Sequence, residues 1–249
     1  MTAESARKDG PSVAFWLETP SQAACEIGAL VGYQLMLLDM EHGVLSVEAA
    51  DRLIPHGKGL GLTVYSRVAA PERVPIQYAL DSGADGVIVP QIRNAQHARE
   101  ATAFAKYPPL GTRGIGFSRT MDYGETPPDF VDTENRRTKC YAMIETPGAL
   151  AEVEAIVALD TVDGLFMGPF DLSLTRGRGP FQSTPEDEAD ARRIGEAAAA
   201  AGKHWGMPVG DLEAFKFSAD LGAEFVSVAD DLSALRAGFA QALADATSG

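Results

Sequence analysis

The chain is poor in cysteine, in basic residues and in long apolar runs, and each shortage excludes a class of protein. Cys25 and Cys140 are the only cysteines among 249 residues. They lie far apart without C-x-x-C spacing, which excludes a cysteine zinc site and gives no sign of a disulfide framework. Lys and Arg number 21 against 35 Asp and Glu, for a net charge of −14. This balance argues against nucleic acid or an anionic membrane surface as a partner, because both require a basic footprint.

Long apolar segments are also missing, which bears on location. No window approaches the roughly 20 apolar residues that a membrane span requires. The first residues, MTAESARKDGPS, are polar and lack the apolar core of a signal peptide. We therefore expect a cytoplasmic protein with a flexible N-terminus over residues 1–11.

What the sequence does contain is a regular alternation of two kinds of segment. Eight short apolar runs predict buried strands at 13–18, 33–40, 62–68, 85–92, 140–146, 163–172, 204–210 and 224–230. Amphipathic, alanine-rich segments between them predict helices at 21–30, 47–58, 71–81, 95–106, 147–158, 185–201, 211–220 and 231–246. Eight β–α units predict a (β/α)8 TIM barrel, with residues 1–249 as a single domain. A doubly wound sheet is the alternative, weakened by the lack of a G-x-G-x-x-G turn after the first strand.

One connection interrupts the alternation. Residues 107–139 are rich in glycine, proline and charge and show no clear period. Long ordered loops are often lids or binding loops, and a plain surface excursion is the alternative. If the loop takes part in substrate choice, Arg113 and Arg119 are the candidate residues.

Charged and polar side chains follow several of the predicted strands. In chain order they are Asp39, Glu41 and His42, then Arg67, then Gln91 and Arg93, then Glu145, and finally Asp171. Active sites of α/β barrels are built at the carboxyl ends of the strands. We therefore expect acids, a base and a cation to converge on one rim of the barrel.

Glu145 and Asp171 form the most informative pair. Two carboxylates that face one cavity repel each other unless a cation or a proton lies between them. Because no cysteine is nearby, the ligands are oxygen only, which suits hard divalent ions such as Mg²⁺ or Mn²⁺. Helix capping by each acid is the alternative.

Arg67 and His42 are the other candidates at this rim. An arginine there can anchor a carboxylate or a developing enolate oxygen, and a structural ion pair with Asp39 or Glu41 is the alternative. His42 has a side chain whose unperturbed pKa lies near neutrality, and Asp39 is close enough in sequence to orient it.

Several motifs resemble one known family. The stretches LLDMEHG, YPPLGTRGIG, AMIET and DGLFMGPFDLS, in this order, resemble the HpcH/HpaI aldolase/citrate lyase family, and within it the class II 2-keto acid aldolases. The resemblance covers roughly residues 12–240. It implies a (β/α)8 barrel and a homohexamer in which the C-terminal helix packs on a neighbouring subunit.

The resemblance also implies roles for individual residues. Glu145 and Asp171 would bind a divalent metal ion (Mg²⁺, Mn²⁺ or Co²⁺), which acts as a Lewis acid toward a bound 2-oxo acid. Arg67 would stabilise the enolate, and His42, supported by Asp39, would exchange protons. Backbone amides around Gly168, Pro169 and Phe170 would hold the substrate carboxylate.

Two departures from the family pattern limit what can be inferred. Met143 stands where several relatives have a glutamine, so a hydrogen bond to the substrate is missing or supplied elsewhere. The histidine is followed by Gly43-Val44-Leu45 in place of a small residue and proline, which leaves the acceptor aldehyde open.

The predicted function is therefore a metal-dependent aldolase. It would cleave a 4-hydroxy-2-oxo acid reversibly to pyruvate, or a related 2-oxo acid, and an aldehyde. The alternatives are a lyase for CoA thioesters of the malyl or citramalyl type, for which no basic cluster is present, and a barrel that only binds a 2-oxo acid.

Overall fold

Eight parallel strands form a closed barrel in the computed structural model, which describes residues 10–124 and 126–247. Each strand pairs with its neighbours in chain order, and β1 closes the barrel on β8. The strands are β1 (Ser12–Leu17), β2 (Leu35–Asp39), β3 (Thr63–Arg67), β4 (Gly86–Val89), β5 (Lys139–Ile144), β6 (Gly164–Met167), β7 (His204–Pro208) and β8 (Phe225–Asp230). The predicted (β/α)8 barrel is confirmed, and each strand lies within one residue of its predicted run.

Eleven α-helices occur in the described part of the chain, with two short 3-10 helices at Ala103–Ala105 and Arg119–Met121. The α-helices are α1 (Gln22–Val31), α2 (Val47–Gly59), α3 (Arg73–Asp81), α4 (Ala95–Thr102), α5 (Phe130–Arg137), α6 (Pro147–Ala151), α7 (Val153–Val157), α8 (Pro169–Thr175), α9 (Pro185–Ala200), α10 (Leu212–Asp220) and α11 (Asp231–Thr247).

Polar residues begin several of these helices, as the sequence predicts. The Ser21 and Ser46 hydroxyls accept the backbone N–H groups of Ala24 and Ala49. Thr184 and Asp187 form a reciprocal capping box at the start of α9. Each cap provides a partner for an N–H group that the first helical turn leaves unpaired.

Two helices were not expected from the sequence. The apolar run 163–172 was predicted as one strand, but β6 ends at Met167 and α8 begins at Pro169. The ring of proline fixes φ at a helical value. The N–H that proline lacks would have no intrahelical partner at the first helical position, so Pro169 favours the start of α8 there. Helix α5 has no apolar period, because its buried residues include the polar Glu134 and Asn135.

The irregular segment 107–139 lies at the amino end of the barrel. It connects the 3-10 helix after α4 to the first residue of β5, so it leaves a helix and enters a strand at the end remote from the strand carboxyl ends. Arg113 is buried there and lies 2.6 Å from Asp81, and Arg119 lies 3.1 Å from Asp51. These two arginines therefore do not line the cavity of their own chain, contrary to the role in substrate choice expected above.

The barrel interior is filled by aromatic side chains. Tyr65, Tyr141 and Phe225 pack on one another with ring centroids 5.3–5.7 Å apart. Phe166 stacks on Phe225 at 5.6 Å and contacts Trp16 edge to face at 5.8 Å. This packed column supports the floor of the cavity at the carboxyl end of the strands.

Two expectations concern the ends of the chain and its location. Residues 1–9 of the predicted flexible N-terminus lie outside the described residues. Across 10–124 and 126–247, no helix has both the length and the apolar character needed to cross a membrane. The cytoplasmic location stays a prediction.

Candidate active site

A cavity of about 440 Å³ opens at the carboxyl end of the barrel. The predicted site residues that line it are His42, Arg67, Gly168, Pro169, Phe170 and Asp171. Asp39 and Glu145, the other two, are each only 1% exposed and lie beneath its surface. The sequence-predicted residues thus meet at one rim of the barrel.

Arg67, the last residue of β3, is held from several sides. Its guanidinium donates to both Asp39 oxygens, with Nε 2.9 Å from Oδ1, and its Nε lies 3.5 Å from Glu41 Oε2. Its Cζ also lies 4.8 Å from the centroid of the Trp16 ring. Burial works against the charge, but the hydrogen bond and charge of Asp39, with the charge of Glu41, raise the pKa of Arg67. The cavity therefore contains a rigid, permanently protonated cation.

Asp39 organises the turn that follows β2. Its Oδ1 accepts the backbone N–H groups of Glu41 and His42, each at 3.1 Å. Burial alone would raise its pKa, but the hydrogen bond and charge of Arg67 and these two N–H groups hold the pKa of Asp39 below its usual value. Asp39 thus supports His42 through the backbone. The carboxylate near the imidazole is that of Glu41, 3.8 Å from His42 Nε2.

Gly43 allows this turn to pack against the end of β1. A Cβ at this position would overlap the Asp39 carbonyl oxygen and would lie 2.8 Å from the Glu18 carbonyl oxygen. The Glu18 carbonyl accepts the Val44 N–H at 2.8 Å. The exposed His42 is therefore presented to the cavity by a turn that is fixed on both sides.

Glu145 follows β5 and carries an unsatisfied charge. Its Oε1 accepts the backbone N–H of Gln91, which adopts a left-handed conformation at φ 56°. Its Oε2 is buried without a hydrogen-bond partner. Burial, together with the negative charges of Glu41 and Asp171, raises the pKa of Glu145 to about 7. The hydrogen bond from the Gln91 N–H acts in the opposite direction and lowers the pKa.

Gly168 brings the end of β6 directly over this carboxylate. A Cβ there would lie 2.8 Å from the Glu145 Cβ and 2.9 Å from Glu145 Oε2.

Asp171 was predicted as a strand end, but it lies in the first turn of α8, where it still lines the cavity. The Gly168 N–H donates to the Ile144 carbonyl oxygen at 3.1 Å and proline has no N–H. The first-turn amides without an intrahelical partner are therefore those of Phe170 and Asp171.

Glu145 and Asp171 fit a divalent cation on their chemistry. Both offer oxygen ligands, and a buried carboxylate oxygen without a partner is costly unless a cation compensates it. Met143, which stands in place of the glutamine of some relatives, lines the same cavity and offers no hydrogen-bond donor.

The structure adds acidic residues that the sequence reasoning missed. Glu18 and Asp230 also line the cavity, and one carboxylate oxygen from each of Glu18, Asp230 and Asp231 lies within 4.8 Å of the others, close enough to hold a cation. Glu18 and Asp230 each stand at the end of a predicted apolar run, VAFWLE and EFVSVAD. Applying the strand-end argument to the first and last strands would have found both.

Comparisons with known proteins identify the family of the chain. The model of the family described as HpcH/HpaI aldolase/citrate lyase matches residues 12–237. A hydroxypyruvate/pyruvate aldolase of Rhizorhabdus wittichii is 32% identical over 95% of this chain and 94% of its own length. A 4-hydroxy-2-oxo-heptane-1,7-dioate aldolase of Klebsiella pneumoniae is 32% identical over 94% of this chain and 88% of its own.

The solved structures give the same result. A crystal structure of an HpcH/HpaI aldolase/citrate lyase family protein from Burkholderia cenocepacia superimposes with a TM-score of 0.87 at 28% identity, over 96% of both chains. The relatives named above are 2-oxo acid aldolases by name, and they align with nearly the whole chain. The chain therefore belongs to the HpcH/HpaI aldolase/citrate lyase family and is a carbon–carbon lyase.

Proposed function

We propose that the protein is a divalent-metal-dependent aldolase. It cleaves a 4-hydroxy-2-oxo acid reversibly to pyruvate, or a related 2-oxo acid, and an aldehyde. The observation that carries the proposal is the buried, unpartnered Oε2 of Glu145, beside Asp171 in a cavity whose fixed cation is Arg67. The names of the relatives support the same reaction class.

Glu145 and Asp171 would hold the ion, with Mg²⁺, Mn²⁺ and Co²⁺ as candidates. When bound, such an ion supplies a Lewis acid that stabilises negative charge on the 2-oxo acid. The raised pKa of Glu145 suits this role, because a neighbouring cation would favour the charged carboxylate that burial now disfavours.

Arg67 supplies a second positive charge where the enolate forms. Cleavage of the C3–C4 bond leaves an electron pair that is delocalised onto the keto oxygen. A guanidinium fixed by Asp39 and packed over Trp16 stabilises that oxygen without reorganising during the reaction. In the aldol direction the same contact stabilises the nucleophile.

His42 is the proposed proton carrier. It removes the proton of the C4 hydroxyl during cleavage, and the enolate then takes up a proton from water at C3 to give pyruvate. In aldol addition His42 returns a proton to the C4 oxygen. Its backbone is fixed by Asp39 and its Nε2 lies 3.8 Å from the Glu41 carboxylate, so the imidazolium formed in cleavage has an anionic neighbour.

The turn over Gly168, Pro169 and Phe170 is the proposed carboxylate subsite. Of these three residues, Phe170 has an amide that is free of the strand hydrogen bond made by Gly168 and of the proline ring. Arg67 lines the same cavity and adds a positive charge for the carboxylate.

Lysine chemistry does not fit this cavity. Among the described residues that line it, none is a lysine, so no amine is placed to form a Schiff base. Lys139 begins β5 and Lys203 precedes β7, at the opposite end of the barrel, where Lys203 Nζ donates to two carbonyl oxygens. Arg67 is the one Lys or Arg among these lining residues, which gives the phosphates of a CoA thioester little to bind.

We also propose a homo-oligomer, a hexamer by resemblance to the family. Helix α11 projects apolar side chains that the described part of the chain leaves uncovered, with Leu235 53%, Phe239 73% and Leu243 66% exposed. A helix of this composition is stable in water when its apolar face is buried against another surface.

A coupled assay tests the proposed reaction. Chelator-treated protein is incubated with 4-hydroxy-2-oxopentanoate, and pyruvate is followed through lactate dehydrogenase with and without Mg²⁺, Mn²⁺ or Co²⁺. We expect pyruvate release that depends on an added ion. Folded protein that releases no pyruvate with any of the three ions would contradict the proposal.

A further inference from the structure

Two of the acidic residues that line the cavity have no place in the reaction proposed above. Glu18 follows β1 and Asp230 ends β8, and these two strands are paired in the barrel with Trp16 opposite Asp230. Both side chains line the cavity, together with Trp16 and Ser227. We call Glu18 and Asp230 the acidic wall.

The acidic wall is built on a rigid support. Asp231 accepts the backbone N–H groups of Glu18 at 2.9 Å and Thr19 at 3.2 Å, and also the Thr19 hydroxyl. The Glu18 carbonyl accepts the Val44 N–H at 2.8 Å, so the backbone of Glu18 is fixed on both sides where the residue lines the cavity. Asp230 Oδ1 accepts the Ser233 N–H at 2.7 Å, so its Oδ2 remains available.

No cation of the described chain neutralises this wall. The ion pairs of Arg67 go to Asp39 and Glu41, and neither Glu18 nor Asp230 forms an ion pair within residues 10–124 and 126–247. Burial raises the pKa of Glu18, and the charges of Asp230, Asp39 and Asp231 add to the effect. Two acids whose carboxylate oxygens lie within 4.8 Å of each other repel, and a cation beside them would stabilise both.

The charge of the cavity as a whole points the same way. Among the described residues that line the cavity, Arg67 has the one guanidinium, and it is already paired with Asp39 and Glu41. Asp171 and Glu145 add negative charge where the ion is proposed to bind. A bound divalent ion compensates Glu145 and Asp171, but it leaves the acidic wall uncompensated. An anionic group near the wall is therefore disfavoured, and a cationic group is favoured.

We infer that the acidic wall makes this aldolase select acceptor aldehydes that carry a positive charge at the end remote from the carbonyl. The inference rests on the proposed aldolase function and names the class of its second substrate. Glu18 and Asp230 are specificity-determining residues here and touch the remote end of the aldehyde, while Trp16 offers an aromatic surface beside that end.

A matched pair of aldehydes isolates the charge. Trimethylammonioacetaldehyde and 3,3-dimethylbutanal have the same shape and differ by nitrogen in place of carbon, while 4-oxobutanoate supplies a negative charge. Aldol addition of pyruvate to each is measured as kcat/KM with the metal-loaded enzyme. We expect the cationic aldehyde to exceed its neutral isostere about tenfold, and the anionic aldehyde to be the poorest.

Substitution of the wall tests which residues are responsible. In the double variant Glu18→Gln, Asp230→Asn, the ratio between cationic and neutral aldehyde should fall about tenfold from its wild-type value, a comparison that cancels the greater intrinsic electrophilicity of the cationic aldehyde. The asparagine retains an oxygen that can accept the Ser233 N–H, which protects the start of α11. Glu196→Gln removes a charge from an exposed position on α9 outside the cavity, and it should keep the tenfold ratio.

A binding measurement covers the case in which the double variant does not fold. Choline and 3,3-dimethylbutan-1-ol form a second isosteric pair, and with wild-type enzyme choline should inhibit aldol addition at about tenfold lower concentration. Equal inhibition by the two alcohols would overturn the inference.

The outcomes separate this inference from the proposed function. Turnover of 3,3-dimethylbutanal without preference for the cationic isostere overturns the acidic wall and leaves the aldolase intact. A preference that is as large in the double variant as in the wild type overturns the assignment to Glu18 and Asp230. No addition of pyruvate to any aldehyde, with any of the three metals, overturns both.

Discussion

The carboxylates at the two ends of the barrel differ in whether a cation is paired with them. At the amino end Lys106, only 1% exposed, places its Nζ 2.8 Å from Asp163 and donates to two carbonyl oxygens. Arg137 lies 2.6 Å from Glu134 at the same end. At the carboxyl end Asp39 is paired with Arg67, but among the described residues Glu145 Oε2 has no hydrogen-bond partner, and Glu18 and Asp230 line the cavity without an ion pair.

The difference separates charges that maintain the fold from charges that await a ligand. A buried carboxylate paired with a cation has a compensated desolvation cost, whereas an unpaired one destabilises the protein that contains it. Such a cost is expected at the carboxyl end if the same groups bind the ion and the substrate, as proposed above. Substitutions at the two ends should therefore have opposite effects on activity and stability.

Glu145→Gln should have the largest effect on activity, without a loss of stability. The amide oxygen can still accept the Gln91 N–H, but the negative charge for the ion is lost. We expect kcat/KM for pyruvate release to fall by at least about 10³-fold, because Lewis-acid stabilisation of the enolate is removed. The free energy of unfolding of the metal-free variant should not fall, and urea titration measures it. Activity near that of the wild type would remove Glu145 from the proposed metal site.

Arg67→Lys should have the next largest effect. Lysine keeps the positive charge beside Asp39 but cannot form the forked contact, so kcat/KM should fall about 10²-fold. Arg67→Ala is a poorer test, because it leaves Asp39 buried and unpaired, which costs about 3–5 kcal/mol. Steady-state kinetics with a melting curve on the same sample separates the two effects, and an unchanged kcat/KM would contradict the role of Arg67.

The pH dependence of stability probes the carboxyl end without a substrate. The pKa of Glu145 is about 7 in the folded protein against an ordinary value of 4.5, so the folded state binds the proton more tightly. The free energy of unfolding of metal-free protein should therefore fall as the pH rises from 4.5 to 7, by about 3 kcal/mol from this residue.

Urea titrations at several pH values measure this slope. Comparison with Glu145→Gln isolates the contribution of the one carboxylate, since the variant should lack it. Saturating Mn²⁺ should also flatten the wild-type profile between pH 4.5 and 7, because the ion favours the charged carboxylate in the folded state. An identical profile in wild type and variant would show that the Glu145 carboxyl is not perturbed by burial.

Arg137→Gln at the amino end should give the smallest effect. The variant loses ion pairs with Asp85 and with the buried Glu134, which keeps Arg113 at 4.0 Å, for a cost of about 1–3 kcal/mol in the free energy of unfolding. Pyruvate release should stay within about twofold of the wild type, because Arg137 does not line the cavity. A large loss of kcat with unchanged stability would contradict the claim that the charges at the amino end support the fold and not the reaction.

Much of this organisation can be predicted from the sequence. Apolar runs of six to ten residues contain all eight strands to within one residue, since parallel strands covered on both faces contain little else. The strand-end argument then places Asp39, His42, Arg67 and Glu145 at the carboxyl end, because in this fold topology alone decides which loops meet there.

Other features of the site could not be predicted, because they depend on contacts between residues that are far apart in the sequence. The residues of α8 are as apolar as a strand, so the run 163–172 hides the change from strand to helix at Pro169. Whether Asp39 contacts His42 through its imidazole or its backbone depends on where the guanidinium of Arg67 lies, which sequence spacing does not determine. The absence of a partner for Glu145 Oε2 is likewise a property of the assembled cavity.

Mn²⁺ binding, measured by electron paramagnetic resonance, tests most directly the claim that unpaired charge at the carboxyl end of the barrel holds a metal ion. Wild type, Glu145→Gln and Glu18→Gln are titrated with Mn²⁺ under the same conditions. We predict that Glu145→Gln weakens binding at least about 100-fold, while Glu18→Gln changes it less than about threefold. The opposite order would place the ion on the carboxylates of Glu18, Asp230 and Asp231 and would contradict the account.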